Sequence, residues 1–414
     1  MNYCIETVPP FIRGEIDLPA SKSISNRALM VNALSGNKCE ICNVARCDDT
    51  DAVVAALSNN GGYVNVGAAG TAMRFLTAYF SLQTGRTVVL DGSERMRNRP
   101  IKPLVDALNA CGADIRYKEK EGFPPLEIHG RSYNCESIEI DAGMSSQYIS
   151  AVLMIAPAIG CRQIVLTGNI TSRPYIDMTL GVMRDFGIRS QFTGNIITIE
   201  AGGYNPPSCF VVENDWTAAS YWFAMQALLP ASRISLKGLF ANSLQGDARV
   251  REFYECFGVL SCGCGTYIDL RNATNFAVDN RCLRIDLSGN PDLAQTIVVT
   301  ACLLDMHFKI TGLHTLRIKE TDRIEALRSQ LLKLGYVINV GADCSLSWNG
   351  EKMPAGQHLI IETFDDHRMA MAFAIAAIKF PGLVIADAGV VSKSYPDFWK
   401  HLAACGFGLK EVEI

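Results

Sequence analysis

The chain has 414 residues, 49% of them hydrophobic and 19% charged, which is ample material for large cores and too little charge for a disordered chain. Its 38 Lys and Arg against 42 Asp and Glu leave a formal net charge of −4, so it lacks the basic surplus of a general nucleic-acid binder. Local basic clusters can still bind anions.

From the N-terminus, residues 1–19 show no basic segment followed by an apolar core, the pattern of a signal peptide. The longest apolar runs, 149–160 and 369–378, fall short of the roughly 20 residues of a membrane helix. The expectation is a cytoplasmic protein that binds neither membrane nor nucleic acid. Fifteen cysteines, an odd number without a secretory segment, predict reduced thiols. Cys39 and Cys42 form a Cys-x-x-Cys, but KCEICNV alternates like a strand. Cys262 and Cys264 are spaced too closely for the usual zinc pair, and nothing completes a four-ligand set.

Six amphipathic helices in succession end at Gly62, Gly112, Gly187, Gly258, Gly335 and Gly406, with spacings of 50, 75, 71, 77 and 71 residues. Glycine past a helix end takes a left-handed backbone without strain. A second set of helices starts near Ser21, Gly70, Ser145, Asp215, Pro291 and Asp366, spaced by 49, 75, 70, 76 and 75. The two series together describe an internal repeat of helix, strand, helix and strands. Six βαβαββ units result, an α/β (α+β) fold, with the first unit short of a strand pair between Gly62 and Gly67. Six units are too many for one core. Three per lobe is the simplest packing, with lobes 21–213, and 1–20 plus 214–414.

Polar residues gather at the helix starts. Lys22, Ser23 and Arg27 open the first; Gly70, Thr71 and Arg74 the second; Ser145, Ser146 and Gln147 the third. Asp292 stands at the fifth and Asp365-Asp366-His367-Arg368 at the sixth. The second helices follow Arg95–Pro100, Ser172-Arg173-Pro174-Tyr175, Lys319–Arg323 and Val391–Ser394. A helix N-terminus carries unpaired N–H groups and partial positive charge, so hydroxyls, glycine amides and cations there make an anion site. Singly, Ser145, Ser146 and Asp292 are ordinary caps and Arg95–Arg99 an ordinary solvated face. Their recurrence at one position of the repeat is what points to ligand binding.

The motifs GTAMR (70–74), ERMRNRPI (94–101), SSQ (145–147), SRPYID (172–177), RIKETDR (317–323) and DDHRMAM (365–371) stand in one order along the chain. With them the chain resembles the EPSP synthase family over Lys22 to Lys393. The resemblance implies a two-lobed enolpyruvyl transferase fold with the active site in the cleft between the lobes. The reaction it implies moves the enolpyruvyl group of phosphoenolpyruvate to the 5-hydroxyl of shikimate 3-phosphate and releases phosphate. By motif, Ser145, Ser146 and Ser172, helped by Lys319, hold the shikimate phosphate. Ser23 and Arg27 take its carboxylate, and Tyr175 and Gln147 bracket the ring. Arg95, Lys393 and the Gly70 amide hold the phosphate of phosphoenolpyruvate, whose site Gln147 also reaches. Arg323 and Arg368 hold its carboxylate, and Lys22 lies between the substrates. Asp292 is the implied base at the 5-hydroxyl, Glu320 the acid at the methylene carbon, and Lys22 assists the leaving phosphate. No cofactor or metal is implied, and the chain is expected to act as a monomer.

Three departures stand out: Ala68 and Thr315 occupy positions where the family commonly has Asn, and the first unit is short. The nearest alternative, a UDP-N-acetylglucosamine enolpyruvyl transferase, normally starts with Lys-Asn and carries a loop cysteine. Here the start is Lys22-Ser23, and Cys111 falls at a helix end. An inactive anion-binding relative would have no need of Lys22, Asp292, Glu320, Arg323, Arg368 and Lys393 together.

Overall fold

Each predicted repeat becomes a small sheet in the computed structural model, which describes residues 1–143, 145–274 and 282–414. The chain divides into two compact units, Ala20–Val212, and Met1–Pro19 with Glu213–Ile414.

In Ala20–Val212, strand Tyr63–Asn65 runs parallel to Thr87–Asp91, which pairs antiparallel with Leu126–His129 and through it with Asp114–Tyr117. Ser137–Asp141, Gln163–Thr167, Ile196–Ile199 and Ser190–Thr193 repeat that order. Among the described residues the remaining sheet has two strands, Glu40–Cys42 parallel to Cys209–Val211. The hairpin is missing because helix Asp48–Ser58 runs almost directly into Tyr63–Asn65. The gap therefore lies between Ser58 and Tyr63, not between Gly62 and Gly67, where a strand of the next sheet stands. With no reversal needed, Asp48–Ser58 ends on Asn59 in extended backbone, and Gly62 is not left-handed. At Gly112, Gly187, Gly258, Gly335 and Gly406, by contrast, φ lies between 76° and 105°, as a helix stop before a reversal requires.

Among the described residues the other unit holds three four-stranded sheets on the same plan. Two of them draw on the N-terminal residues: Arg13–Asp17 lies parallel to Arg233–Lys237, and Asn2–Thr7 sits between Leu383–Ile385 and Gly408–Val412.

The first helix of each repeat is the inner one. Ser146–Ile155 is buried at every residue except Gln147, and Ala294–Leu303 and His367–Ala374 are buried throughout. A helix apolar on all sides can only lie inside. Helices such as Lys102–Ala110 and Arg173–Asp185 bury one face and complete the layers. Burial of the inner helices leaves their N-terminal residues as the places where polar groups emerge.

A second expectation also fails. Cys111, the cap residue of Lys102–Ala110, is joined to Cys135 in a disulfide with Cα atoms 5.2 Å apart. Expecting only reduced thiols treated the cysteines by count; the hairpin between them returns the chain to within bonding distance.

Candidate active site

In Ala20–Val212 the helix starts hold a first group of predicted residues. Ser21 caps Lys22–Leu34 by accepting from the Ile24 N–H. Lys22 reaches out of that turn to a 3.0 Å ion pair with the buried Asp49, a partner the motifs did not reveal. Ser23 is half-buried beside it. Arg27 is turned inward: Nε donates to Thr179 Oγ1 at 2.7 Å, Nη1 to the Ser23 carbonyl at 2.8 Å, and Nη2 to Ser150 Oγ and the Tyr175 carbonyl. Burial lowers its pKa to about 10, so it remains a cation. Its fork ties three helices together and carries Ser23 and Tyr175 on its acceptors.

Helix Gly70–Ser81 has no side-chain cap, so its first N–H groups have no such acceptor. The Arg99 guanidinium packs on Gly70, where an added β-carbon would meet Nη1 at 2.5 Å. Arg74 donates to the Gly70 and Pro100 carbonyls, fixing this turn against the basic stretch. Within that stretch Arg97 belongs to the scaffold: it grips Asp91 at 2.6 and 2.9 Å. Arg95 stands half-buried in the same short helix, Glu94–Arg97.

Gln147 Nε2 donates to Thr71 Oγ1 at 3.1 Å, joining the second and third helix starts. Ser145 acts as a cap, accepting from the Gln147 N–H at 3.2 Å. Ser146 is buried in the first turn. Ser172 differs: it precedes Arg173–Asp185 with φ 54° and makes no capping bond. A non-glycine residue held left-handed stores about 1 kcal/mol or more, and such strain collects at functional positions. Tyr175 follows on the first turn, half-buried.

In the other unit the predicted residues converge on one guanidinium. Arg323, 1% exposed, directs Nε to Asp366 at 2.7 Å, Nη1 to Asp292 at 2.9 Å and Nη2 to Glu320 at 2.8 Å. Arg368 Nη2 reaches the second oxygen of Asp292 at 2.9 Å, and Lys319 stands 3.7 Å from its first. Lys393 lies 3.9 Å from Glu320. Asp366 also caps helix His367–Ala374, accepting from the Arg368 N–H at 2.9 Å. Asp322 caps Arg323–Lys333 in the same way. Burial alone would raise the Asp292 pKa; Arg368, Lys319 and Arg323 outweigh it and hold the carboxyl well below its usual range. The motif DDHRMAM by itself assigns Asp366 no role. Its position at a helix start, two residues before an arginine, was the available signal.

Thr315, in the turn His314–Ile318, is buried, and its hydroxyl has no hydrogen-bond partner among the described residues. Among the described residues, too, no group of three or more His, Cys, Asp or Glu side chains is placed to hold a metal ion, and no helix is long and apolar enough to cross a membrane.

Repeated βαβαββ sheets with cations at their helix starts define a class of protein, and comparison with known proteins agrees. Two solved structures of EPSP synthase from Acinetobacter baumannii superpose with TM-scores of 0.76 and 0.75 over the whole of both chains; at 20% identity they establish the two-lobed α/β fold. The family EPSP synthase (3-phosphoshikimate 1-carboxyvinyltransferase) matches residues 8–64 and 59–402. A 3-phosphoshikimate 1-carboxyvinyltransferase of Bacteroides fragilis is 47% identical over the full length of both chains. One from Haemophilus influenzae is 34% identical over 94% of this chain and 96% of that one. The chain belongs to the EPSP synthase family and is an enolpyruvyl transferase of the shikimate pathway.

Proposed function

We propose that the two groups of residues serve one reaction, transfer of the enolpyruvyl group from phosphoenolpyruvate to the 5-hydroxyl of shikimate 3-phosphate with release of phosphate. The observation that carries the reading is the knot around Arg323. One buried guanidinium holds two carboxylates, Asp292 and Glu320, at 2.9 and 2.8 Å, with Lys319, Arg368 and Lys393 around them. Enolpyruvyl transfer removes a proton from a hydroxyl, places one on the methylene carbon of phosphoenolpyruvate as the hydroxyl oxygen adds, and takes one back from the resulting methyl as phosphate leaves. Two carboxylates fixed on neighbouring nitrogens of one fork can divide that work, Asp292 at the hydroxyl and Glu320 at the carbon. The surrounding cations keep Asp292 in the ionised form that a base needs, while lowering its basicity.

Ser145, Ser146 and Ser172, with Lys319, hold the shikimate phosphate in this reading. The strained Ser172, whose hydroxyl makes no capping bond, supports its place there. Ser23 and Arg27 serve the shikimate carboxylate, Arg27 chiefly by fixing Ser23 and Tyr175. Tyr175 and Gln147 flank the ring. Arg95, Lys393 and the Gly70 amide hold the other phosphate, Gln147 reaching the same group. Arg323 and Arg368 face the carboxylate of phosphoenolpyruvate, and Lys22 stands between the substrates and assists phosphate departure. The same reading places the enzyme in the cytoplasm as a monomer, needing no metal because these cations already offset the phosphate charge.

Phosphate release with phosphoenolpyruvate is the test, offering shikimate 3-phosphate and UDP-N-acetylglucosamine separately. Release is expected with the first alone; equal or faster release with the nucleotide sugar would overturn the assignment.

A further inference from the structure

Behind Asp292 lies a second carboxylate with no part in the scheme above. Asp247, on the turn Gly246–Arg249, is 5% exposed. Its Oδ2 accepts the Thr217 hydroxyl at 2.5 Å and its Oδ1 the Asn290 side-chain amide at 3.1 Å. Asn290 is completely buried and directly precedes Pro291-Asp292-Leu293, the single turn that carries Asp292. Its backbone is held at both ends, its N–H donating to the Leu287 carbonyl and its carbonyl accepting from Leu293. Pro291 fixes φ between Asn290 and Asp292, so a displacement of Asn290 passes to Asp292 with little slack.

We propose that Asp247 is a positioning residue for Asp292, setting its place through Asn290 and opposing with its own negative charge the field of the surrounding cations. The inference rests on the assignment of Asp292 as the base at the 5-hydroxyl.

The groups that face Asp247 come from every element around it. Thr217 reaches it from helix Trp216–Leu228, Asn290 and Asp292 from the turn 290–293, and the charge of Arg368 from helix His367–Ala374. Arg249, on its own turn, is directed at Asn290 Oδ1 at 3.5 Å. Burial, and then the charge of Asp292, push the Asp247 carboxyl up to about 6. Both contacts made by Asp247 are acceptances, which suit its ionised form. Protonation would leave one oxygen carrying a hydrogen against a donor, and would remove the charge that offsets Arg368. Activity should therefore fall as pH drops through about 6, a limb that belongs to Asp247 and not to the strongly acidic Asp292.

The test is the pH dependence of kcat, measured with both substrates saturating, for the wild type, Asp247→Asn, Thr217→Val and Asp292→Asn. Asp247→Asn is expected to lower kcat about tenfold, to leave both KM values within about twofold, and to abolish the limb near pH 6, since a displaced base costs turnover and not binding. Thr217→Val removes a donor to the ionised form and is expected to move the limb to higher pH. It keeps the proposal testable should Asp247→Asn fold poorly. A purely structural Asp247 would lower the melting temperature and leave the limb where it is. An unmoved limb in Asp247→Asn and Thr217→Val, with Asp292→Asn inactive, would overturn this inference alone. An active Asp292→Asn would overturn the assignment of the base, and this inference with it.

Discussion

At the scale of single residues, the unit that holds Asp292 spends its electrostatics on one point. Arg323 satisfies three carboxylates and is 1% exposed, while Asp366 is 0% exposed. Removing one partner of a buried ionic set leaves an uncompensated charge, which costs about 3–5 kcal/mol. Arg323→Ala is thus expected to lower unfolding stability by that order, read from urea denaturation, in addition to abolishing turnover; a variant of wild-type stability would show that the knot is not structurally coupled. The two aspartates here also respond to pH with opposite signs. Asp292, held low, contributes stability that is present above about pH 4, the unfolded value, and is lost as pH falls through its folded pKa. Asp247, raised to about 6, contributes stability that is present below about pH 4 and is lost as pH rises through 6. Relative to wild type, Asp247→Asn should gain stability between pH 4 and 6 and stay level above pH 7. A difference that is flat across that window would mean Asp247 does not titrate there.

At the scale of elements, the helix starts were legible because capping chemistry is local. Ser21, Ser145, Asp215 and Asp366 are caps, and Gly70 and Pro291 open their helical turns. What the sequence could not convey was direction. Nothing in KSISNR says that Arg27 turns inward to Thr179, Ser150 and the Tyr175 carbonyl, because those acceptors lie more than 120 residues away. Asp49 and Thr71, the partners of Lys22 and Gln147, were hidden for the same reason: a surface-type residue is paired only by the fold. The missing hairpin showed as a short interval, but its place was misjudged because a three-residue strand, Tyr63–Asn65, is too short to read as one. Ser172 gives this scale its prediction. Glycine adopts its φ of 54° without strain, so Ser172→Gly should stabilise the chain by about 1 kcal/mol. If the hydroxyl holds a phosphate, the same change should raise KM for shikimate 3-phosphate about tenfold, the loss of one hydrogen bond to a charged group. A more stable variant with unchanged KM would leave the strain without that function.

At the scale of the whole molecule, neither unit alone carries every group that the transfer needs, so under the proposed mechanism substrates must bring the two sets of residues to bear together. In that mechanism shikimate 3-phosphate draws on Ser145, Ser146 and Ser172 of one unit and Lys319 of the other, so its binding favours whichever arrangement lets both act. Small-angle scattering should then show a smaller radius of gyration with shikimate 3-phosphate than without it, and a weaker response to phosphoenolpyruvate alone; an unchanged radius at saturation would count against substrate-driven closure. The chain's path also sets a timetable. Asn2–Thr7 leaves the ribosome long before either of its neighbours, Leu383–Ile385 and Gly408–Val412. At ~5–20 residues per second, synthesis of the intervening chain takes roughly 20–80 s. Until Leu383–Ile385 is made the N-terminal strand has both edges open, whereas Ala20–Val212 has every strand that its own sheets require as soon as Val212 has been made. An unpaired strand is an invitation to wrong partners. Translation thus delivers the inserted unit complete well before the unit that carries Asp292 can close its sheets.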